Sequence, residues 1–173
     1  MSKKILFLFG SGISTYRGFS SNNTTKIVSC DDEISSIWDK LMPIYYKVEE
    51  IGNKLGETYL ILKELFSLID NKNSTILTQN VDGLVKKISG DINVIELHGN
   101  CENIYCTGNK CKNVNVLIKY NKHDKMCCEC KQMCRPDIVL LNENLKNKTK
   151  LSIGKALKIR YDYILIVGTT LQF

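Results

Sequence analysis

Ser74-Thr75-Ile76-Leu77-Thr78-Gln79-Asn80-Val81-Asp82-Gly83, with Val94-Ile95-Glu96-Leu97-His98-Gly99 a short way beyond, is the stretch that decides the fold. Ser74 to Thr78 is β-prone and predicts a short buried strand. Gln79, Asn80 and Asp82 follow it at once, and Gly83 closes the turn. Leu84-Val85-Lys86-Lys87-Ile88 predicts a helical segment that ends at Gly90, a residue placed to cap it. Val94 to Leu97 is a second apolar run, and it stops at His98-Gly99. Two strands of a parallel sheet then carry Gln79, Asn80 and Asp82 at one carboxyl end and His98 at the next. That edge is where open α/β sheets bind ligands. Taken singly, Asn80 and Asp82 are turn formers and His98 is a strand-end surface residue. Together they converge on one crevice.

Lys4-Ile5-Leu6-Phe7-Leu8-Phe9, near the start of the chain, predicts a strand buried on both faces of a parallel sheet. It runs into Gly10-Ser11-Gly12-Ile13-Ser14, where small residues let the backbone approach a pyrophosphate and a following helix N-terminus favours its charge. Thr15 leaves the six-residue dinucleotide fingerprint incomplete. From Asp32 to Asp70 the pattern is helical, with Ile34, Ile37, Trp38 and Leu41, then Tyr59, Leu60, Leu62, Leu65 and Phe66, at helical spacing. Pro43 and Gly52 punctuate it. Trp38 and the tyrosines read as core or lid residues. Tyr163-Ile164-Leu165-Ile166-Val167 predicts another buried strand, closing on Gly168-Thr169-Thr170-Leu171.

At 173 residues, 43% of them hydrophobic, the chain has the size of one domain, or of one domain with a small insert. No apolar run approaches 18 residues, so no membrane contact is expected. Met1-Ser2-Lys3-Lys4 and the apolar residues after it lead into a glycine turn rather than a cleavage site, and read as a strand rather than a signal peptide. Seven of the eight cysteines fall between Cys101 and Cys134, which reads as metal binding in a reducing, intracellular compartment, cytoplasm or nucleus. Four residues separate Cys106 from Cys111 and two separate Cys127 from Cys130, with fifteen between the pairs. Two such knuckles fit one tetrahedral zinc ion held by four thiolates, a structural site with no position left for water. Cys128 is an alternative to Cys127, and disulfides are the competing reading. The net charge is +6, and residues 108–160 hold thirteen Lys or Arg against four Asp or Glu. Nucleic-acid contact and an ordinary solvated face both account for that.

Thr78-Gln79-Asn80-Val81-Asp82-Gly83-Leu84 with Glu96-Leu97-His98-Gly99 resembles the paired signature of the sirtuins, the NAD-dependent protein deacylases. Gly10, Gly12, Ile13, Ser14 and Gly18 fall on the family's dinucleotide loop. Phe19-Ser20-Ser21-Asn22-Asn23 departs from it, standing where sirtuins have Ile-Pro-Asp-Phe-Arg. A zinc ribbon after the His-Gly motif and Arg135-Pro136-Asp137 after the last cysteine also resemble the family. Ile138-Val139-Leu140-Leu141-Asn142-Glu143 is similar to the run that pairs with an acyl-lysine peptide as an added strand, with Leu141 in place of Phe and Asn142 in place of Gly. Gly168-Thr169-Thr170 resembles the family's cofactor-binding strand end.

The resemblance implies a Rossmann-like α/β fold over 1–31, 72–100 and 136–173, a helical insert at 32–71 and a zinc ribbon at 101–135. NAD is expected along Gly10, Ser11, Gly12, Ile13, Ser14, Arg17, Gln79, Asn80, Asp82, Gly168, Thr169 and Thr170. His98 is expected as general base, with Asn80 and Asp82 positioning ribose, water and the departing amide. Zinc is expected on Cys106, Cys111, Cys127 and Cys130, and an acyl-lysine peptide on Ile138, Val139 and Leu141. Sirtuins continue with further strands beyond the point that corresponds to Phe173, so an apolar sheet edge covered by a second copy or another partner is expected. Lysine deacylation is the leading expectation. NAD hydrolysis or ADP-ribose transfer, and a non-catalytic NAD- and zinc-binding interaction module, are the alternatives.

Overall fold

The computed structural model describes residues 3–17, 28–51, 55–69, 71–121 and 125–170. In chain order these form β1 (Ile5–Phe9), a 3₁₀ segment (Ser11–Arg17), α1 (Ile34–Ile51), α2 (Glu57–Leu68) and β2 (Thr75–Thr78). Then come α3 (Leu84–Ile88), β3 (Asn93–Glu96), β4 (Gly99–Tyr105), β5 (Leu117–Lys119), β6 (Arg135–Ile138), α4 (Asn147–Ala156) and β7 (Tyr163–Val167). Gly18, the stretch Phe19 to Asn23, Gly52 and Leu171 lie outside the described residues, as does the side chain of Arg17.

Four parallel strands in the order β3-β2-β1-β7 carry the crevice. Because side chains alternate along a strand, β1 feeds two cores. Phe7 and Phe9 join Tyr59, Leu62 and Phe66 of α2 and Leu84, Val85 and Ile88 of α3 on one face. Leu6 joins Leu77, Ile95, Leu97 and Ala156 of α4 on the other. Phe9 pairs with Thr78, and Thr78 with Glu96, so three strands end level and their loops open on the same edge.

The second sheet, β5-β4-β6, is antiparallel and shares a core with α1. Trp38 is 1% exposed and donates its indole N–H to the Cys134 carbonyl at 2.8 Å, which ties the helical insert to the cysteine ribbon. Tyr45 and Tyr120 flank the indole with ring centroids 5.3 and 5.1 Å away.

Four local expectations change. Pro43 lies inside α1 rather than ending it. The buried stripe of Ile37, Trp38, Leu41 and Tyr45 runs through the proline, and its burial offsets the roughly 3 kcal/mol that an interior proline costs. Leu60 is 54% exposed, while Tyr59, Leu62 and Phe66 form the buried stripe of α2. Residues 11–17 form a 3₁₀ segment and not an α-helix, so the phosphate-favouring helix N-terminus does not follow Gly12 directly. β7 is no buried strand. It is outermost in the order, and Tyr163, Ile164, Leu165 and Ile166 are 57, 64, 38 and 45% exposed because no described residue lies beyond it.

Candidate active site and metal centre

Gly10, Gly12 and Gly168 meet where β1 and β7 end. The Gly10 N–H donates to the Val167 carbonyl at 3.0 Å and the Gly12 N–H to the Gly168 carbonyl at 2.8 Å. Gly168 has φ +71°, and a Cβ there would lie 2.5 Å from the Ile13 nitrogen. Glycine therefore serves first to let one loop close on the other. Gly168→Ala places a side chain in the left-handed region and against backbone that cannot yield. It is expected to cost about 1–3 kcal/mol, read as a lower denaturation midpoint. Ile13 is 3% exposed and sits in the α2-side core, so its side chain supports the loop from beneath. Ser11 is half-buried, Gly12 and Thr170 are exposed, and Thr169 Oγ1 donates to Gln79 Oε1 at 2.9 Å, joining the ends of β7 and β2.

The Gln-Asn-x-Asp turn after β2 is held from several sides. The Gln79 N–H donates to the Phe9 carbonyl at 2.9 Å, and the Asn80 N–H to Thr78 Oγ1 at 3.1 Å. Asp82 is 4% exposed and both its oxygens are engaged. Oδ1 accepts the Leu84 N–H at 2.9 Å, which starts α3, and Oδ2 accepts the Ser14 hydroxyl at 2.8 Å and the Tyr59 hydroxyl at 3.3 Å. Burial pushes its pKa upward, and the backbone bond from Leu84, then Ser14 and Tyr59, oppose that. Asp82 is thus a hub that holds its neighbours at the sheet edge.

Asn80 is 7% exposed and donates Nδ2 to Ser14 Oγ at 3.2 Å, while Oδ1 has no hydrogen-bond partner among the described residues. A buried carbonyl oxygen left without a donor costs on the order of 1–3 kcal/mol unless something supplies one. It marks where a hydroxyl or amide of a ligand fits.

His98 follows β3, half-buried. Its Nδ1 lies 3.1 Å from the Gln79 carbonyl. A carbonyl only accepts, so Nδ1 carries the proton and Nε2 is the lone-pair nitrogen, without a partner among the described residues. Burial draws the imidazole pKa below its ordinary 6.5, and the Gln79 bond opposes it. At neutral pH the ring is a neutral base with its orientation fixed. The next residue, Gly99, has φ +85° and faces the Asp137 carbonyl, which lets β4 cross onto β6 directly behind the imidazole.

Around the run after β6 the arrangement departs from a free edge. Ile138 is 1% exposed and paired with Gly99, so it is a core residue. The Val139 N–H donates to the His98 carbonyl at 2.8 Å. Leu141 gives its N–H to the Val28 carbonyl at 3.0 Å and accepts the Cys30 N–H at 3.2 Å, so its main chain is already paired and only its side chain, 49% exposed, is offered to a partner. Asn142, standing where the family has Gly, has φ +64°. Asparagine adopts that left-handed conformation more readily than most residues, so the turn survives the substitution. The Glu143 carboxylate takes both Arg135 terminal nitrogens, at 3.0 and 2.6 Å, and the Leu140 N–H at 3.0 Å, which braces the same turn.

The cysteine spacing closes as expected. The sulfurs of Cys106, Cys111, Cys127 and Cys130 all lie within 4.8 Å of one another, with Cys106–Cys130 at 3.4 Å and Cys111–Cys127 at 3.5 Å. Zinc–sulfur bonds of about 2.3 Å in a tetrahedron require sulfurs roughly 3.8 Å apart. The Gly108 N–H points at the Cys106 sulfur at 3.3 Å and the Asn113 N–H at the Cys111 sulfur at 3.4 Å, the support that thiolates need. Hydrogen bonds from the Cys130 and Glu129 backbone draw the Cys127 thiol down to about 6. Cys128 is exposed and takes the Asn113 side-chain amide at 3.4 Å, outside the cluster, which decides between it and Cys127. All eight cysteines are free thiols, so the disulfide reading falls.

A parallel sheet with a glycine-lined loop, a buried amide oxygen and an imidazole at its carboxyl edge, beside a four-cysteine ribbon, defines a Rossmann-like α/β fold. The Sir2 family profile matches residues 9–173, and the chain belongs to that family. It is 31% identical over 186 residues to the NAD-dependent protein deacetylase of Saccharolobus solfataricus, covering 94% of this chain and 68% of that one. It is 29% identical over 191 residues to the NAD-dependent protein deacetylase of Staphylococcus epidermidis, covering 98% and 73%. The match to NAD-dependent protein deacylase 1 of Caldanaerobacter subterraneus subsp. tengcongensis, 38% over 101 residues, takes in 58% of this chain and only 41% of that relative. Among solved structures, a Sir2 complex with an inhibitor, 2'-O-acetyl-ADP-ribose and a deacetylated p53 peptide superposes with a TM-score of 0.62 at 27% identity, covering 99% of this chain and 73% of that one. A Sir2–p53 peptide–NAD+ complex gives 0.62 at 26%, covering 99% and 73%. No helix of the described residues is long and apolar enough to cross a membrane.

Proposed function

We propose that the chain is an NAD-dependent protein lysine deacylase that moves the acyl group from lysine to ADP-ribose and releases nicotinamide. One observation carries the reading: on a single sheet edge, a buried amide oxygen without a partner among the described residues (Asn80) accompanies an imidazole whose lone-pair nitrogen is Nε2 (His98). The names of the relatives, and the NAD and peptide in the Sir2 complexes, support it.

The residues present fit NAD. Gly10, Ser11, Gly12 and Ser14, with Gly168, Thr169 and Thr170, would hold its phosphates and adenine-side ribose along the β1 and β7 ends. Gln79 and Asn80 would meet the nicotinamide ribose, Asn80 through Oδ1. Bound NAD would supply the ribose carbon that takes the acyl oxygen as nicotinamide leaves, and with one water consumed to free the amine the products would be lysine, nicotinamide and acyl-ADP-ribose. His98 Nε2 would accept a proton from a ribose hydroxyl, and the Gln79 carbonyl leaves that nitrogen unprotonated beforehand by fixing the proton on Nδ1. Asp82 holds Ser14 in place, and through it Asn80, without touching substrate. Val139 and the Leu141 side chain would contact the acyl-lysine peptide. One zinc ion on Cys106, Cys111, Cys127 and Cys130 would be structural, since four thiolates close the tetrahedron. An intracellular setting suits a cluster that must stay reduced.

The test is NAD binding and nicotinamide release by purified protein, with and without acetyl-lysine peptide. Peptide-dependent release is the expected result. Release without peptide would favour NAD hydrolysis or ADP-ribose transfer, and binding without release an interaction module. A second check is the pH profile. His98 must be neutral to accept a proton and its pKa is lowered, so kcat/KM is expected to rise with pH and to reach its plateau with a midpoint below 6.5.

A further inference from the structure

The sequence places Tyr59 in an apolar helical stripe, and its ring does pack in the α2-side core with Phe9 and Phe66. Its hydroxyl does something else. It lies 2.8 Å from Ser14 Oγ and 3.3 Å from Asp82 Oδ2, at a residue only 3% exposed. We propose that Tyr59 is a positioning residue for the reaction: its hydroxyl locks the Asp82–Ser14–Asn80 chain so that Asn80 turns its amide oxygen, and not its nitrogen, to the ligand.

A count of protons fixes the directions. Asp82 as a carboxylate only accepts, and Ser14 has one proton, which goes to Asp82 Oδ2 at 2.8 Å. Ser14 Oγ is then left with acceptor capacity, and two donors fill it: Asn80 Nδ2 at 3.2 Å and the Tyr59 hydroxyl at 2.8 Å, whose single proton is shared with Asp82 Oδ2 at 3.3 Å. Burial raises the Tyr59 pKa, so the phenol keeps its proton and remains a donor throughout the working range. With Nδ2 committed to Ser14, the other end of the Asn80 amide must be Oδ1, the atom without a partner. Removing the Tyr59 hydroxyl leaves Ser14 Oγ short of a donor and free to rotate. Ser14 can then point its proton at Asn80, which allows the amide to turn over. The α2 helix thereby reaches Asn80, on the β2 loop, through Tyr59 and Ser14, neither of which lies on the β2 or β3 loops.

The proposal rests on the deacylase reading, and its test separates the two. Tyr59→Phe keeps the ring in the core and removes only the hydroxyl. Peptide-dependent nicotinamide release is expected to fall about tenfold or more in kcat/KM, the scale of one hydrogen bond within a charged network. Tyr59→Phe and Ser14→Ala are expected to be non-additive, the double variant losing little more than Ser14→Ala alone. The second readout needs no turnover. The carboxyl 13C resonance of Asp82 is expected to titrate at higher pH in Tyr59→Phe, since the carboxylate loses a donor. The other groups facing it, Ser14 from the 3₁₀ segment, the Cys101 thiol from β4 and Lys87 from α3, are unchanged. Exchange protection of the Asn80 side-chain amide is expected to fall with it. A lower melting temperature with unchanged kcat/KM, unchanged Asp82 titration and additive effects would overturn the proposal, leaving Tyr59 as core alone. Absence of turnover in the unsubstituted protein would count against the deacylase reading, and the two NMR readouts would still decide on Tyr59. If Tyr59→Phe does not fold, the same two readouts are taken on Ser14→Ala. An unmoved Asn80 amide there would equally overturn it.

Discussion

His98→Ala is expected to lower peptide-dependent nicotinamide release and deacylation by about 10²-fold or more, the scale on which a positioned general base acts. The imidazole is held in one orientation by its Nδ1 bond to the Gln79 carbonyl, and only Nε2 is left to accept a proton. Alanine removes that nitrogen together with the Nδ1 bond to Gln79, and no main-chain contact. The contacts that fix this turn are main-chain ones, Leu97 N–H to Thr78 carbonyl at 2.8 Å and Val139 N–H to His98 carbonyl at 2.8 Å, and they survive the change. NAD affinity and melting temperature are therefore expected to stay close to those of the unsubstituted protein while turnover collapses. Parallel loss of NAD binding or of folding would assign His98 a structural part instead.

Cys106→Ser is expected to act in the opposite way, on the fold first. Cys106, Cys111 and Cys127 are 0, 8 and 0% exposed and belong to the same core as Trp38, Leu41, Ile104 and Ile138. Their metal would hold the ribbon to itself and, through the Cys134–Trp38 bond, the ribbon to α1. Losing one thiolate opens the tetrahedron. The expected result is less than one equivalent of zinc by elemental analysis and a destabilisation of more than about 4 kcal/mol, the range reached when a structural metal is lost. Cys128→Ser is the internal control. Its sulfur is exposed and lies outside the cluster, so zinc content is expected to hold and stability to change by no more than about 0.5 kcal/mol.

The parts of the molecule written as unbroken local runs were legible in the sequence. β2, α3 and β3 fall within a residue of the expected boundaries, because alternation, a short helical stripe and Gly90 at φ +58° are all local signals. The four cysteines were legible from spacing, since a ribbon constrains ligand separation directly. Choosing Cys127 over its neighbour Cys128 required the geometry: adjacent residues on one turn point in different directions, and composition cannot say which points inward. Pro43 misled because its local cost is plain in the sequence, while the burial of Trp38 and Leu41 that offsets it comes largely from distant parts of the chain, Cys101 to Leu140. β7 misled for the complementary reason, its apolar composition being that of a central strand although it stands outermost.

Tyr59 is the most instructive miss. A tyrosine in the buried stripe of a helix carries no mark separating a packed ring from a hydroxyl aimed at Asp82, 23 residues further on. The available signal was its polarity: a buried phenol needs a partner, and its helix packs against the loop that carries Ser14. Leu141 is similar. Its place in the peptide-binding run was legible from the resemblance, but the pairing of its main chain with Val28 and Cys30 depends on a segment more than a hundred residues earlier.

The central claim is the fate of the acyl group. Incubating the protein with NAD and a peptide whose acetyl-lysine carries a labelled acetyl, and following all products by mass spectrometry, tests it most directly. The account predicts nicotinamide, unmodified lysine peptide and labelled acetyl-ADP-ribose in equal amounts, all lost together in His98→Ala. Label appearing as free acetate without acetyl-ADP-ribose, or free ADP-ribose formed at the same rate without peptide, would contradict it.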